Sequence, residues 1–126
     1  MSSYALVFLG GGLGSVIRYS LGRWIPPVLL HTPFPVSILL VNTLASVLLG
    51  AVVGWVAGRP EAEPWRLLIG VGICGGLSTF SSFSQDTLLL LQQGRVGVAF
   101  LNIALNVLGC LAASAIGWWL VVQLTD

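Results

Sequence analysis

The segment Gly75-Gly76-Leu77-Ser78-Thr79-Phe80-Ser81-Ser82-Phe83-Ser84 interrupts the apolar run Leu67–Leu91 with two adjacent glycines, five hydroxyls and two phenylalanines three residues apart. Asn42, Asn102 and Asn106 add amides to two other apolar runs. Hydroxyls, amides, aromatic edges and freed backbone groups can replace the water around a small ion. No nucleophile–base pair or metal-ligand set accompanies them, so an enzyme is not expected. Irregular backbone at membrane depth is tolerated only where protein buries it or where it lines a cavity. Discontinuous helices of this kind mark ion and substrate sites.

The elements that must position these groups are set by composition. Of 126 residues, 56% are hydrophobic and 7% charged, against about 25% charged in soluble domains. A bilayer span needs about 20 mostly apolar residues. Four such stretches are present, at residues 4–21, 34–57, 67–91 and 96–120, and they predict an all-α integral membrane protein forming one domain over 1–126. The third span is expected to break near 75–83. The first stretch has no basic leader and more spans follow it, unlike a signal peptide. A net charge of +1 gives no nucleic-acid footprint, and no nucleotide partner is expected. Cys74 and Cys110 both fall in apolar stretches and read as thiols rather than a disulfide.

The chain has no lysine. Arg18, Arg23 and Arg95 fall on one side of a four-span topology, and Arg59 and Arg66 on the other. The positive-inside rule needs an asymmetry to act on. Three against two is either a small-number accident or the mark of a chain that inserts both ways and pairs as an antiparallel dimer. Four helices can hardly enclose a polar path, so transport would require oligomerisation.

Spacing by four places groups on one helix face. Gly10, Gly14, Arg18 and Gly22 share a face of the first span. Small residues there permit close packing, while Arg18 either snorkels to headgroups or forms an electropositive vestibule. In the second span, which opens after Pro33 and Pro35, Asn42, Ser46, Gly50, Gly54 and Gly58 repeat the pattern. Asn42 is either interhelical glue or a donor to an anion. The fourth span carries Asn102, Asn106, Cys110 and Ser114 as a polar track, with Gly109, Ala113 and Gly117 as a packing ridge. Two asparagines one turn apart must face a partner or water rather than lipid.

This lining offers donors and no carboxylate at mid-depth. Asp86 lies near the end of the third span and His31 in a loop. Cation paths and proton relays normally show Asp, Glu or His inside the membrane, so a proton-coupled exporter is disfavoured. Phe80 and Phe83 either pack as ordinary apolar groups or present ring edges to an anion.

The motifs resemble the Fluc (CrcB) family of fluoride channels over essentially the whole chain. Gly11-Gly12-Leu13-Gly14-Ser15-Val16-Ile17-Arg18 is similar to the family's GGxxGxxxR, and Val41-Asn42 with Ser46 and Gly50 to its VNxxGSxxxG. The most specific match is Gly72-Ile73-Cys74-Gly75-Gly76-Leu77-Ser78-Thr79-Phe80-Ser81-Ser82-Phe83-Ser84, similar to GxxGGxTTFSTFS. The resemblance implies a dual-topology antiparallel homodimer in the bacterial plasma (inner) membrane, with two parallel pores. It implies a sodium ion at the dimer axis on the backbone oxygens of Gly75 and Ser78. Phe80, Phe83, Asn42, Thr79, Ser81, Ser82, Asn106 and Cys110 would then line the fluoride path, with Arg18 near its entrance. The chain departs from the usual pattern at Ser37-Ile38, Ala45, Ser82, Asp86 and Asn102. The implied role is passive fluoride export, and so fluoride resistance, without ATP or proton coupling. Two rivals differ in specific features: a multidrug exporter would need a carboxylate in the first span, and a fixed-orientation partner subunit would need a strong Arg/Lys bias. Neither feature is present.

Overall fold

The computed structural model describes residues 2–25 and 34–125; His31 and Pro33 lie outside them. Among the described residues, four helices are long and apolar enough to cross a membrane: Ser3–Trp24 (α1), Val36–Val56 (α2), the stretch Pro60–Gln92, and Val96–Thr125 (α5). In the third stretch, Ser78 (φ −72°, ψ 155°) and Thr79 (φ −151°, ψ 113°) are extended. They separate α3, residues 60–77, from α4, Phe80–Gln92.

The third stretch starts seven residues before the apolar boundary at Leu67. Pro60 and Pro64 each sit in the first turn of a short helical segment, where a missing N–H costs nothing. Glu63 accepts from Arg66 Nε at 2.7 Å and from its Nη2 at 2.6 Å one turn on. The charged residues are therefore part of the helix, not of a loop. Helix α1 likewise begins at Ser3 and continues to Trp24, and α5 continues past Leu120 to Thr125. Helix α2 is slightly shorter than its apolar stretch. Gly58 (φ 72°) and Gly94 (φ 74°) make the turns that follow α2 and α4, a backbone region that side chains with a Cβ rarely adopt.

Two helix pairs carry the fold: α1 on α3, and α2 on α5. At the first, a Cβ on Gly10 would collide with the Leu68 carbonyl, one on Gly14 with the Ile73 carbonyl, and one on Gly76 with the Gly11 carbonyl. At the second, a Cβ on Gly50 would strike the Ser114 carbonyl and one on Gly117 the Val47 carbonyl. Lipid is as apolar as a side chain, so helices gain by backbone approach rather than by hiding from water. A Cβ on Gly22, by contrast, would meet none of the described residues, so Gly22 does not extend the α1 seam.

The α3 backbone winds as a π-helix from Arg66 to Cys74, and α5 does so from Leu105 to Gly109. Such widened turns are rare and concentrate at functional sites. Val41, Ala45, Cys74 and Leu77 form the buried core, with Ile17, Leu21 and Ile69 packed against it. This core clamps the end of α3 immediately before the extended pair. Phe8, Leu13, Phe100, Leu108 and Leu111 remain exposed, as lipid-facing side chains do.

Candidate functional site

The extended pair is held by side chains from α2 and α4, and α5 in turn holds the α2 side chain. Thr79 N–H donates to Asn42 Oδ1 at 2.8 Å. Asn42 Nδ2 donates to Asn106 Oδ1 at 2.9 Å and to the Thr79 carbonyl at 3.3 Å. Asn42 thus replaces, for Thr79, the backbone pairing that the helix has given up. Thr79 Oγ1 in turn accepts from Ser82 N–H at 3.2 Å and donates to Ser82 Oγ at 3.1 Å. That is an N-cap, and it starts α4 with one of its orphan amides satisfied. Ser81 Oγ lies 3.3 Å from the same hydroxyl.

On the α5 side, Asn106 Nδ2 donates to Asn102 Oδ1 at 2.9 Å and to the Asn102 carbonyl at 3.1 Å. Asn102 Nδ2 donates to Thr87 Oγ1 at 2.9 Å, and Thr87 Oγ1 donates to the Phe83 carbonyl at 2.8 Å. Asn102 is 0% exposed and Asn106 6% exposed. The two asparagines therefore face each other, α4 and Asn42, not lipid. Unpaired, each would cost about 1–3 kcal/mol; among the described residues no buried side-chain polar atom lacks a partner.

A cavity of about 320 Å³ opens beside this cluster. Asn42, Ser46, Ser78, Thr79, Asn106 and Cys110 supply its polar lining, and Phe80 and Phe83 its aromatic lining. The two rings lie 5.4 Å apart and tilted by 54°, within the range of favourable edge-to-face geometries. Their environments differ: Phe83 is 8% exposed and Phe80 78% exposed. Ser46 Oγ donates to the Asn42 carbonyl at 2.7 Å, and Ser78 Oγ to the Cys74 carbonyl at 2.9 Å. Most donors in the cavity are therefore committed to protein acceptors. The longest of these bonds, and so the weakest, is that from Asn42 Nδ2 to the Thr79 carbonyl at 3.3 Å.

A second cavity of about 350 Å³ lies between α2 and α3, lined by Ala45, Ser46, Cys74, Gly75 and Ser78, with Arg66 at its far end. Two carbonyls near it have lost their helical amides. In a continuous helix Thr79 N–H would bond the Gly75 carbonyl, and Ser82 N–H the Ser78 carbonyl. Here the first amide goes to Asn42 Oδ1 and the second to Thr79 Oγ1.

The structure thus gathers Asn42, Thr79, Phe80, Phe83, Asn106 and Cys110 around one cavity, with Ser81 and Ser82 at the N-cap. Arg18, half-buried on α1, does not line it. Asp86 lines a separate cavity with Ser37, Ile38, Ser82 and Gln93, beside the membrane end of α4. Thr87 belongs to the cluster and carries no motif of its own. Its position four residues after Phe83 on a helix was the one available sign. Cys74 and Cys110 are both free thiols.

The profile of the CrcB-like protein family, described as Camphor Resistance (CrcB), matches residues 5–118. A fluoride-specific ion channel FluC of Klebsiella pneumoniae is 45% identical over 118 residues, covering 93% of this chain and 91% of that protein. That of Cronobacter sakazakii is 44% identical over 120 residues, covering 94% and 93%. That of Salmonella arizonae is 43% identical over 115 residues, covering 90% and 89%.

Proposed function

This chain belongs to the CrcB-like family, and from that premise we propose that it is a passive, fluoride-selective channel which works as an antiparallel homodimer around a structural sodium ion. It is a multi-pass protein of the bacterial inner membrane and a transport protein, not an enzyme. The observation that carries the proposal is the mid-span cavity lined by amide and hydroxyl groups and two phenylalanines, with no carboxylate among its lining residues.

Fluoride is small and tightly hydrated, so it crosses only where strong donors replace its water. The Asn42 amide can turn its weaker bond from the Thr79 carbonyl to the ion. The Ser81 and Ser82 hydroxyls can rotate to donate at the N-terminus of α4, whose positive end favours an anion. Phe80 and Phe83 offer ring edges, which are positive. Larger anions, which match such short donors less well, are excluded by geometry rather than by a fixed charge. Hydrogen fluoride is a weak acid that crosses lipid and dissociates inside, and a passive path lets the trapped anion leave. Arg18 would draw anions toward an entrance.

Dimerisation follows from what one chain leaves open. Phe80 is 78% exposed, and the Gly75 and Ser78 carbonyls flank an open cavity. Freed carbonyls cannot face hydrocarbon. A second copy placed on this face would cover them, and four carbonyls from two chains suit sodium, which takes hard oxygen ligands. Bound there, the ion would supply a positive charge that holds the two interruptions together. The sequence's even arginine distribution supports opposite orientations for the two copies.

The test is ion efflux from liposomes containing the purified protein, followed with fluoride and chloride electrodes in parallel. Fast fluoride release with negligible chloride release, and without a proton gradient, is expected. A well-folded preparation that releases no fluoride would overturn the proposal.

A further inference from the structure

The hydrogen bonds that join α2, α4 and α5 form one chain with a single possible direction. A backbone N–H can only donate, so the Asn42 atom 2.8 Å from Thr79 N is Oδ1. A backbone carbonyl can only accept, so the Asn106 atom 3.1 Å from the Asn102 carbonyl is Nδ2. These two ends, set independently, agree in the middle, where Asn42 Nδ2 meets Asn106 Oδ1 at 2.9 Å. Beyond them, Asn106 Nδ2 on Asn102 Oδ1 leaves Asn102 Nδ2 toward Thr87, and the Thr87 hydroxyl hydrogen goes to the Phe83 carbonyl at 2.8 Å. Three amides and a hydroxyl are thereby held in one polarity between two backbone anchors, on α4 and at its N-cap.

We infer that Asn102, backed by Thr87, is a positioning residue for the ion pathway: its side chain holds Asn106 in the direction that the Asn102 carbonyl gives it, and through Asn106 it steadies the amide of Asn42 and the extended backbone at Thr79. The inference rests on the channel reading above. Neither Asn102 nor Thr87 lines the cavity, so neither can act by touching the ion there. Their effect runs through Asn106, which does line it. Without the Thr87 oxygen, the fully buried Asn102 NH2 has no acceptor. Asn102 then shifts to find one, and Asn106 loses the Oδ1 to which it donates at 2.9 Å. Held by the Asn102 carbonyl alone, Asn106 can turn toward the cavity, Asn42 loses its 2.9 Å acceptor, and a donor that faces the path is lost or replaced by an oxygen. An oxygen in that place repels an anion.

The experiment is single-channel fluoride recording in planar bilayers, with Thr87→Val, Thr87→Ser and Asn102→Leu compared with the unmodified protein. Unitary current reads only assembled channels, so a purely structural role would change how many appear and not how much each conducts. Thr87→Val keeps the shape and removes the oxygen; its unitary current is expected to fall about tenfold, within the range for residues coupled through one hydrogen-bond network. Thr87→Ser restores the oxygen and is expected to stay within about twofold of the unmodified protein, since the chain is intact. Asn102→Leu should match or exceed the loss in Thr87→Val; if it yields no folded protein, the Val and Ser pair decides alone. Unmodified protein that conducts beside a Thr87→Val variant of equal unitary current overturns the inference and leaves the channel reading standing. Unmodified protein that conducts no fluoride overturns the channel reading itself.

Discussion

The α1–α3 seam and the α2–α4–α5 cluster hold helices together by opposite means. At the seam, Gly10, Gly14 and Gly76 bring backbone against backbone. At the cluster, Asn42, Asn102, Asn106 and Thr87 join helices through directed hydrogen bonds. The seam gains dispersion from atoms at contact distance and has little tolerance for added volume. The cluster has tolerance in volume but little in polarity, because every buried donor needs its acceptor. One region is specified by shape and the other by the direction of its bonds. A path for a small anion needs the second kind of specification, since it must present hydrogens rather than oxygens.

Volume added at the seam should do most damage. Gly14→Leu is expected to abolish monodisperse protein on size-exclusion chromatography, since overpacking against backbone costs about 1–3 kcal/mol or more and the Ile73 carbonyl cannot yield. Gly97→Ala, where the Cβ meets open space, should elute as the unmodified protein does. An aggregated Gly97→Ala, or a well-behaved Gly14→Leu, would break the contrast.

Polarity removed from the cluster comes next. Asn106→Leu strips the acceptor from Asn42 and leaves buried groups unpaired, and should lower thermal stability by about 2–3 kcal/mol while nearly abolishing fluoride efflux. At the cavity itself, Phe80→Ile and Phe83→Ile should each cut efflux by about tenfold with little change in thermal stability, as expected when an ion-facing edge of about 1.4 kcal/mol is lost. Unchanged efflux in both would confine the rings to packing. Ser114→Ala removes a single bond to the Ser46 carbonyl and should cost about 0.6 kcal/mol, with efflux unaltered. The smallest effect is expected from Glu63→Gln at the exposed pair with Arg66, where no measurable shift in melting should appear even at low salt.

How legible was this in the sequence? The four spans were, because apolar length is a nearly sufficient signal in a membrane. The asparagine spacing in α5 was also legible, since residues four apart share a face. The start of the third stretch was not, because hydropathy registers Glu63 and Arg66 as loop residues while their mutual bonds suit a helix. Phe80 and Phe83 share a face by spacing, yet one is buried and the other exposed. That difference depends on where α4 leaves the bundle, which no local pattern encodes. Thr87 was invisible for the same reason: a hydroxyl fifteen residues from Asn102 becomes its partner only once α4 and α5 lie side by side. The glycines were legible as a class, but only the packed structure separates Gly10 and Gly14, where a Cβ would strike α3, from Gly22, where a Cβ would meet none of the described residues.

The position of Asn102 and Asn106 on α5 has a consequence for biogenesis. A chain is made from its N-terminus, so α1 to α4 leave the ribosome before the helix that completes their polar bonds. Until α5 arrives, Asn42 lacks its side-chain acceptor on α5 and Thr87 its amide donor. The seam between α1 and α3 can close early, since it needs nothing from later residues. The extended pair can be held early by Asn42 and by the α4 N-cap, but Asn42 itself gains its side-chain acceptor only when α5 docks. The helix that completes the polar cluster is therefore made after the helices it joins, and until it inserts Asn42 and Thr87 are polar groups short of a partner at membrane depth.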